Sequence, residues 1–488
     1  MKYLGFVVAA LSASIAGCGA FGPDREPPKI PATVHYSVDP QAAQLPAADG
    51  IAQRMDSSGL PVPEWWKAYG SAELDALVEE GLANSPSLAA AQHTLQAARE
   101  TLRSQIGQSM LPSVDISFDP SRQRALGIPI LPHAQTFLYN VFAAEVQTSY
   151  TFDFFGAAVL ANRALALQVK QQVYQLEATR RALATNIVVA AINAASLQEQ
   201  VAATERLVAL GERRARQIAA RYQLGGASHD DMLSAETDAA NAAATLPALR
   251  AKLLATRHAE AVLLGRTPDR APAPPALDTL HLPDAVPVSV PSDLLHQRPD
   301  ILAAEANVRS TADQAGAAAA SMFPSLTLSA GYGRGGFDWA TFSSPAGAIW
   351  NVGASLTQPL FHGGALVARK HSYEATHDAA VAQYKQTVLA AFQNVADTLV
   401  ALEEDANTLD QTRRAAAATE EMQRDSEARY QLGGTSYYAT LTAGQQHENA
   451  SVQYIRARSA RLADTAALFD SMGDPPPLGG ARMRSDSR

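Results

Sequence analysis

Residues 220–228 read ARYQLGGAS and residues 428–436 read ARYQLGGTS, a near-copy displaced by 208 positions. Glycine takes the left-handed backbone conformation at little cost, so Gly225-Gly226 and Gly433-Gly434 read as the stops of two preceding helices. Upstream of the first turn, residues 157–223 hold no proline and one glycine, Gly211; upstream of the second, residues 365–432 hold neither. At ~1.5 Å per residue each run is a helix of ~100 Å, far longer than a globular core needs, and it must lie beside other helices. Ser228 is placed to cap a return helix over 229–264, with Asp230 and Asp231 in its first turn and Pro247 as an expected kink. Ser436 opens the equivalent return helix over 437–472.

Working outward, the copy extends beyond the turns. Pro299 corresponds to Pro86, SMFPSLTLS at 321–329 echoes SMLPSVDIS at 109–117, and LFHGG at 360–364 matches FFG at 154–156. The chain therefore reads as two repeats, 64–265 and 299–473, joined by a proline-rich linker over 266–298. Tip turns fall at 224–228 and 433–436, and the second long helix spans 364–432. Helix 86–110 stacked end to end with 229–264 gives ~92 Å, close to the long helix beside it. Between the helices the period changes to two: strands are expected at about 113–119, 141–153, 325–336 and 348–358, each with one apolar and one polar face.

Four such strands cannot close a membrane sheet alone, because lipid leaves no partner for open edges. They must join strands of other chains. Two copies would give eight strands and three would give twelve. The small, polar inward set (Ser117, Ser149, Thr327, Gly331, Gly353, Ser355) suits the open lumen of the larger barrel.

The N-terminus reads as a targeting segment, with Lys2, an apolar run and Ile15-Ala16-Gly17-Cys18, so residues 1–17 form a signal peptide. Cys18 is the one cysteine and can form no internal disulfide. IAGC resembles a bacterial lipobox, which makes Cys18 the lipid-attachment site and the covalent lipid the one group expected on the chain. Gly19 in place of aspartate resembles lipoproteins sent to the outer membrane. Residues 18–63 read as an extended surface segment, and 474–488 as a loose tail.

A net charge of -9 with 18% charged residues argues against a nucleic-acid partner and against disorder. Enzyme signals are weak. Gly331-x-Gly333-x-x-Gly336 lacks the helix and βαβ unit of a dinucleotide site. His229-Asp230-Asp231 lacks further His or Cys at ligand spacing, so no metal and no catalytic residue is expected. Arg213, Arg214 and Arg216 read as a solvated face.

The lipobox, EWW at 64–66, YTFDFFG at 150–156, the RYQLGG turns and above all VPSDLLHQRPDILAAE at 290–305 resemble the TolC-type outer-membrane efflux channels, in their NodT-type lipoprotein branch. The resemblance implies a mixed α and β membrane protein. It implies a homotrimer with a twelve-stranded β-barrel, four strands per chain, continued by a periplasmic α-helical coiled-coil barrel with an equatorial domain at the linker. It implies a passive conduit for drugs and other small toxic compounds, lipid-anchored in the bacterial outer membrane. Its partners would be a periplasmic adaptor and an inner-membrane pump of the resistance-nodulation-division type. A duct for type I protein secretion, or a structural coiled-coil envelope lipoprotein, is the rival reading; the latter predicts no alternating strands.

On this resemblance the turns are adaptor-docking tips, formed by Arg221, Leu224, Gly225, Gly226 and Ser228 and by Arg429, Leu432, Gly433, Gly434 and Ser436. Where the family often carries a gating carboxylate, this chain has Thr442 and Gln445, and acidity at the tip falls to Asp230 and Asp231. The constriction is therefore expected to rest on packing and hydrogen bonds. Asp115, Asp119, Glu145 and Asp153 are expected to line the lumen and favour cations.

Overall fold

A computed structural model describes residues 22–28, 36, 45, 47, 52–56, 63–126, 136–288 and 291–473. Cys18, the signal segment and the tail lie outside the described residues.

In chain order the elements are β1 (Arg54–Asp56), α1 (Ala72–Asn84), α2 (Pro86–Met110), β2 (Ser113–Phe118), β3 (Ser121–Leu126), β4 (Thr136–Phe152), α3 (Ala157–Gln223) and α4 (His229–Leu263). There follow β5 (Ala285–Pro287), α5 (Pro291–Gln297), α6 (Pro299–Ala320), β6 (Ser325–Gly336), the short α7 (Trp339–Ser343), β7 (Ala348–Thr357), α8 (Ala365–Gln431) and α9 (Tyr437–Met472). The long helices α3 and α8 have 67 residues each. Among the described residues no helix is long and apolar enough to cross a membrane.

The chain divides into two compact units. The first comprises the described residues within 22–28, 94–172 and 304–385 and holds the larger sheet, an antiparallel array in the order β2-β4-β6-β7 with β3 also paired to β4. Here the structure corrects the sequence reading. The first two expected strands, 113–119 and 141–153, leave out part of the sheet: β4 begins at Thr136, and Ser121–Leu126 pairs with its extension in the register that β2 starts. Ser-Arg-Gln-Arg has no apolar alternation, so periodicity could not mark it as strand. In the helical part of this unit the Asp313 side chain on α6, fully buried, is held by Arg25 at 2.6 Å and Arg163 at 2.9 Å.

The second unit comprises the described residues within 36–93, 173–303 and 386–473. Its helices pack through small residues and polar bridges. Ser196 of α3 donates to Ser459 of α9 at 2.9 Å, Arg250 of α4 reaches Glu205 of α3 at 2.6 Å, and Ala406 and Leu409 of α8 bury against Ala457 of α9. Trp65 stacks on Phe469 with ring centroids 5.3 Å apart, and the Tyr69 hydroxyl donates to the Leu462 carbonyl at 2.8 Å. One further expectation changes. The linker 266–298 is not merely irregular: it carries α5, and its β5 pairs in parallel with β1, inside the segment read as extended. The return helix α4 has the expected span and runs through Pro247.

Candidate functional site

Cross-strand register sorts the larger sheet into two faces, because residues directly opposite one another share a face. One face is polar: Asp115, Gln147, Gly331 and Asn351 form one row, and Ser113, Ser149, Ser329 and Gly353 another. The opposite face is apolar and bare. Ile116 is 81% exposed, Val352 76% and Trp350 75%. A soluble protein cannot leave that much contiguous apolar surface in water. Aromatic pairs bound this face at both ends. Phe142 meets Trp339 at 5.9 Å and Phe342 at 6.2 Å at one end, and Tyr150 meets Phe152 at 4.9 Å at the other.

Of the four expected lumen carboxylates, two stand on the polar face. Glu145 is pinned there: Oε1 accepts from Asn351 Nδ2 at 2.7 Å and Oε2 from Gln147 Nε2 at 3.1 Å. Asp115 stands in the row of Gln147 and Asn351. The other two stand one residue past the strand ends, since β2 ends at Phe118 and β4 at Phe152. Asp119 is beyond the strand, its backbone N–H donating to Ala143 O at 2.8 Å. Asp153 Oδ2 accepts from the Val159 backbone N–H at 2.8 Å and so ties down the start of α3, where helix N–H groups lack internal partners.

The two turns are built alike. Gly225 and Gly433 adopt φ of 73° and 74°. The N–H of Gly226 donates to Arg221 O at 2.8 Å and that of Gly225 to Tyr222 O at 3.0 Å, and Gly434 to Arg429 O and Gly433 to Tyr430 O repeat both distances. This paired pattern satisfies carbonyls that a helix end leaves open. Leu224 and Leu432, the residues before the glycines, are each 87% exposed. The turns differ in their closures: Tyr222 packs on His229 in the first and Tyr430 on Tyr437 in the second, at 5.5 and 5.4 Å. Arg221 donates to Gly226 O at 3.0 Å.

Asp231 is committed to a capping box: its carboxylate accepts from the Ser228 hydroxyl at 2.7 Å and backbone N–H at 3.0 Å, and its own N–H donates to Ser228 Oγ at 3.0 Å. Those bonds hold its carboxyl below the usual range. Asp230, beside it in the first turn, is exposed. Ser436 accepts from the Ala439 N–H at 3.3 Å at the start of α9.

About two turns deeper, the structure assembles a cluster of side chains from α3, α4 and α9. Arg214 is not solvated. It donates to Gln445 Oε1 at 3.1 Å and the Tyr438 hydroxyl at 2.8 Å, lies 5.0 Å from the Tyr438 ring centroid, and reaches Asp238 at 3.5 Å. Gln445 thus takes part in a bridge between α3 and α9, whereas Thr442 donates to Tyr438 O of its own helix at 3.0 Å. Tyr438 and Asp238 were not singled out from sequence. Their signal lies in helical phase, since Arg213 and Arg214, one residue apart, point some 100° apart and cannot both be solvated on one face.

The sequence pattern described as outer membrane efflux protein matches residues 77–266 and 290–474, that is, both repeats. The pyoverdine export outer membrane protein OpmQ of Pseudomonas putida is 28% identical over 432 residues, covering 86% of this chain and 89% of that protein. Nodulation protein T of Rhizobium leguminosarum bv. viciae is 26% identical, covering 92% and 89%. The CmeC outer membrane channel of Campylobacter jejuni shares the fold with a TM-score of 0.81 at 22% identity, covering 93% of this chain and 94% of that one. With both repeats matched and the sheet and paired turns in place, the chain belongs to the outer membrane efflux protein family, of the NodT type, and is an outer-membrane efflux channel.

Proposed function

We propose that three copies close into a twelve-stranded barrel that is the outer-membrane duct of a tripartite efflux system. The apolar face of the sheet carries this reading. Phe142 and Phe152 bound it ten residues apart on β4. At ~3.3 Å per residue that is ~33 Å of strand, and a tilt of about 40° reduces it to a band of ~25 Å, the height of a barrel's lipid-facing belt. The outer edges of the sheet, β2 with β3 on one side and β7 on the other, are open to pairing with neighbouring copies.

Within the duct, Asp115 and Glu145 give the wall a cation preference. The turns Leu224–Ser228 and Leu432–Ser436 dock the periplasmic adaptor, and the Arg214–Tyr438–Gln445 bridge holds the constriction by hydrogen bonds rather than by a ring of ion pairs. Cys18 carries the lipid. The chain catalyses nothing: the partner pump, of the resistance-nodulation-division type, supplies the energy, and the adaptor favours the open state by binding it better than the closed one. OpmQ is a pyoverdine exporter by name, which supports small organic molecules as cargo.

The purified protein is expected to run as a trimer that dissociates only on heating and to give stepwise single-channel currents in planar bilayers. A monomer without conductance steps overturns the reading.

A further inference from the structure

The charged residues of the sheet are sorted by face. Both strand carboxylates, Asp115 and Glu145, stand on the polar face. All three strand arginines stand on the other: Arg122 opposite Asn140, Arg124 opposite Leu138 and Arg334 opposite Ala144, each in the register of the apolar residues. Such a split is not needed for solubility, because the polar face could have carried both signs.

Their height is also sorted. Arg334 is level with Phe118, inside the distal aromatic girdle, while Arg122 and Arg124 lie two and four residues beyond Phe142 along β4, past the apolar band. Among the described residues none of the three pairs with a carboxylate. Arg124 Nε donates to Thr136 Oγ1 at 3.1 Å, and Arg334 donates to the carbonyls of Ser343 at 2.7 Å and Ser344 at 3.3 Å, which leaves donors of both guanidinium groups uncommitted. Asp338, in the loop after β6, is committed to the start of α7, accepting from Thr341 N at 2.7 Å. Exposed arginines just beyond an aromatic girdle, on the lipid-facing side, meet headgroups rather than acyl chains. The planar five-donor guanidinium matches a phosphate better than it matches a zwitterion or a sugar hydroxyl.

We propose that Arg122 and Arg124 form an outward-facing seat for a phosphorylated lipid headgroup of the outer leaflet. The seat rests on the barrel reading above. It fixes the height of the barrel in the membrane from outside, independently of the lipid anchor at the other surface. Arg122 and Arg124 make the seat on β3, while Arg334, lower on β6, steadies the loop that follows.

The test uses the delipidated trimer in detergent, titrated with diphosphoryl lipid A and with its enzymatically dephosphorylated form, with bound lipid counted by native mass spectrometry. Wild type is expected to prefer the phosphorylated lipid, and R122A/R124A to bind it about thirtyfold more weakly, roughly a factor of five per arginine. R122K/R124K should recover part of the loss. Equal binding by wild type and R122A/R124A overturns the proposal. Competition by millimolar inorganic phosphate would also overturn it, marking a free-anion site instead. Both proteins are first checked for conductance in bilayers: loss of the lipid preference with conductance intact strikes the seat alone, whereas absence of conductance in wild type strikes the barrel itself.

Discussion

Gly331 is buried although it sits on the polar face of a strand, because the Glu145 carboxylate lies across it. A Cβ at this position would meet Glu145 Cδ at 2.9 Å and Asn351 Nδ2 at 2.8 Å, so glycine is what allows the carboxylate to lie flat between Gln147 and Asn351. Gly331→Ala is expected to lift Glu145 off the wall, lower single-channel conductance and destabilise the barrel by about 1–3 kcal/mol, the usual cost of overpacking. Glu145→Ala should restore conductance in the double variant; additive losses in conductance would show that the two residues do not share this contact. The polar face itself was legible from alternation. The role of each carboxylate was not. Asp231 and Asp153 look like Glu145 in sequence, yet both bind backbone N–H groups at helix starts. Which partner a carboxylate finds depends on whether unpaired N–H groups lie within reach, and residue type carries no such information.

At the scale of elements, what could be read from sequence was set by length and by glycine. Sixty-seven alanine-rich residues without proline carry no helix breaker and favour one long helix, and the GlyGly turns end both long helices with the same hydrogen bonds. The strands β1 and β5, three residues each, are too short to show a period, and a parallel partner far along the chain leaves no local trace. The bridge from Arg214 to α9 is likewise non-local. The turns make a prediction of their own. Leu224 and Leu432 do not pack into the body of the protein, so Leu224→Asp and Leu432→Asp should leave trimer yield and melting within about 0.5 kcal/mol of wild type. If these leucines fill apolar pockets on the adaptor, each substitution lowers crosslinking to it several-fold, and the pair abolishes it. Crosslinking unchanged in the pair would remove the tips from the docking surface.

Duplication makes the whole molecule readable as two copies, but the copies differ in their buried charges, and these set its response to pH. Glu260 on α4 is fully buried, and neither carboxylate oxygen has a hydrogen-bond partner among the described residues. The neighbouring arginines are engaged elsewhere, Arg257 with the carbonyl of Pro272 at 3.0 Å and Arg266 with both oxygens of Glu80 at 2.6 Å. Burial therefore pushes the Glu260 carboxyl up to about 7. On α8, burial and a shared hydrogen bond with Asp464 push Asp405 up to about 7 as well, against the pull of Arg461, which is itself buried and bonded to Leu402 O and Gln53 Oε1. Both groups keep their protons in the folded state over a range where the unfolded chain has already released them. Raising the pH from about 4 to 7 thus favours unfolding, and the loss levels off above 7. The melting temperature of the detergent-solubilised protein is expected to fall between pH 5 and pH 8. Glu260→Gln should flatten that slope and raise stability at pH 8 by on the order of 2 kcal/mol, less than the full shift implies because the amide is itself left unpaired. Asp405→Asn should flatten the remainder. A melting temperature that rises with pH through this window would mean that both carboxylates ionise freely and that the packing around them is looser than the geometry shows.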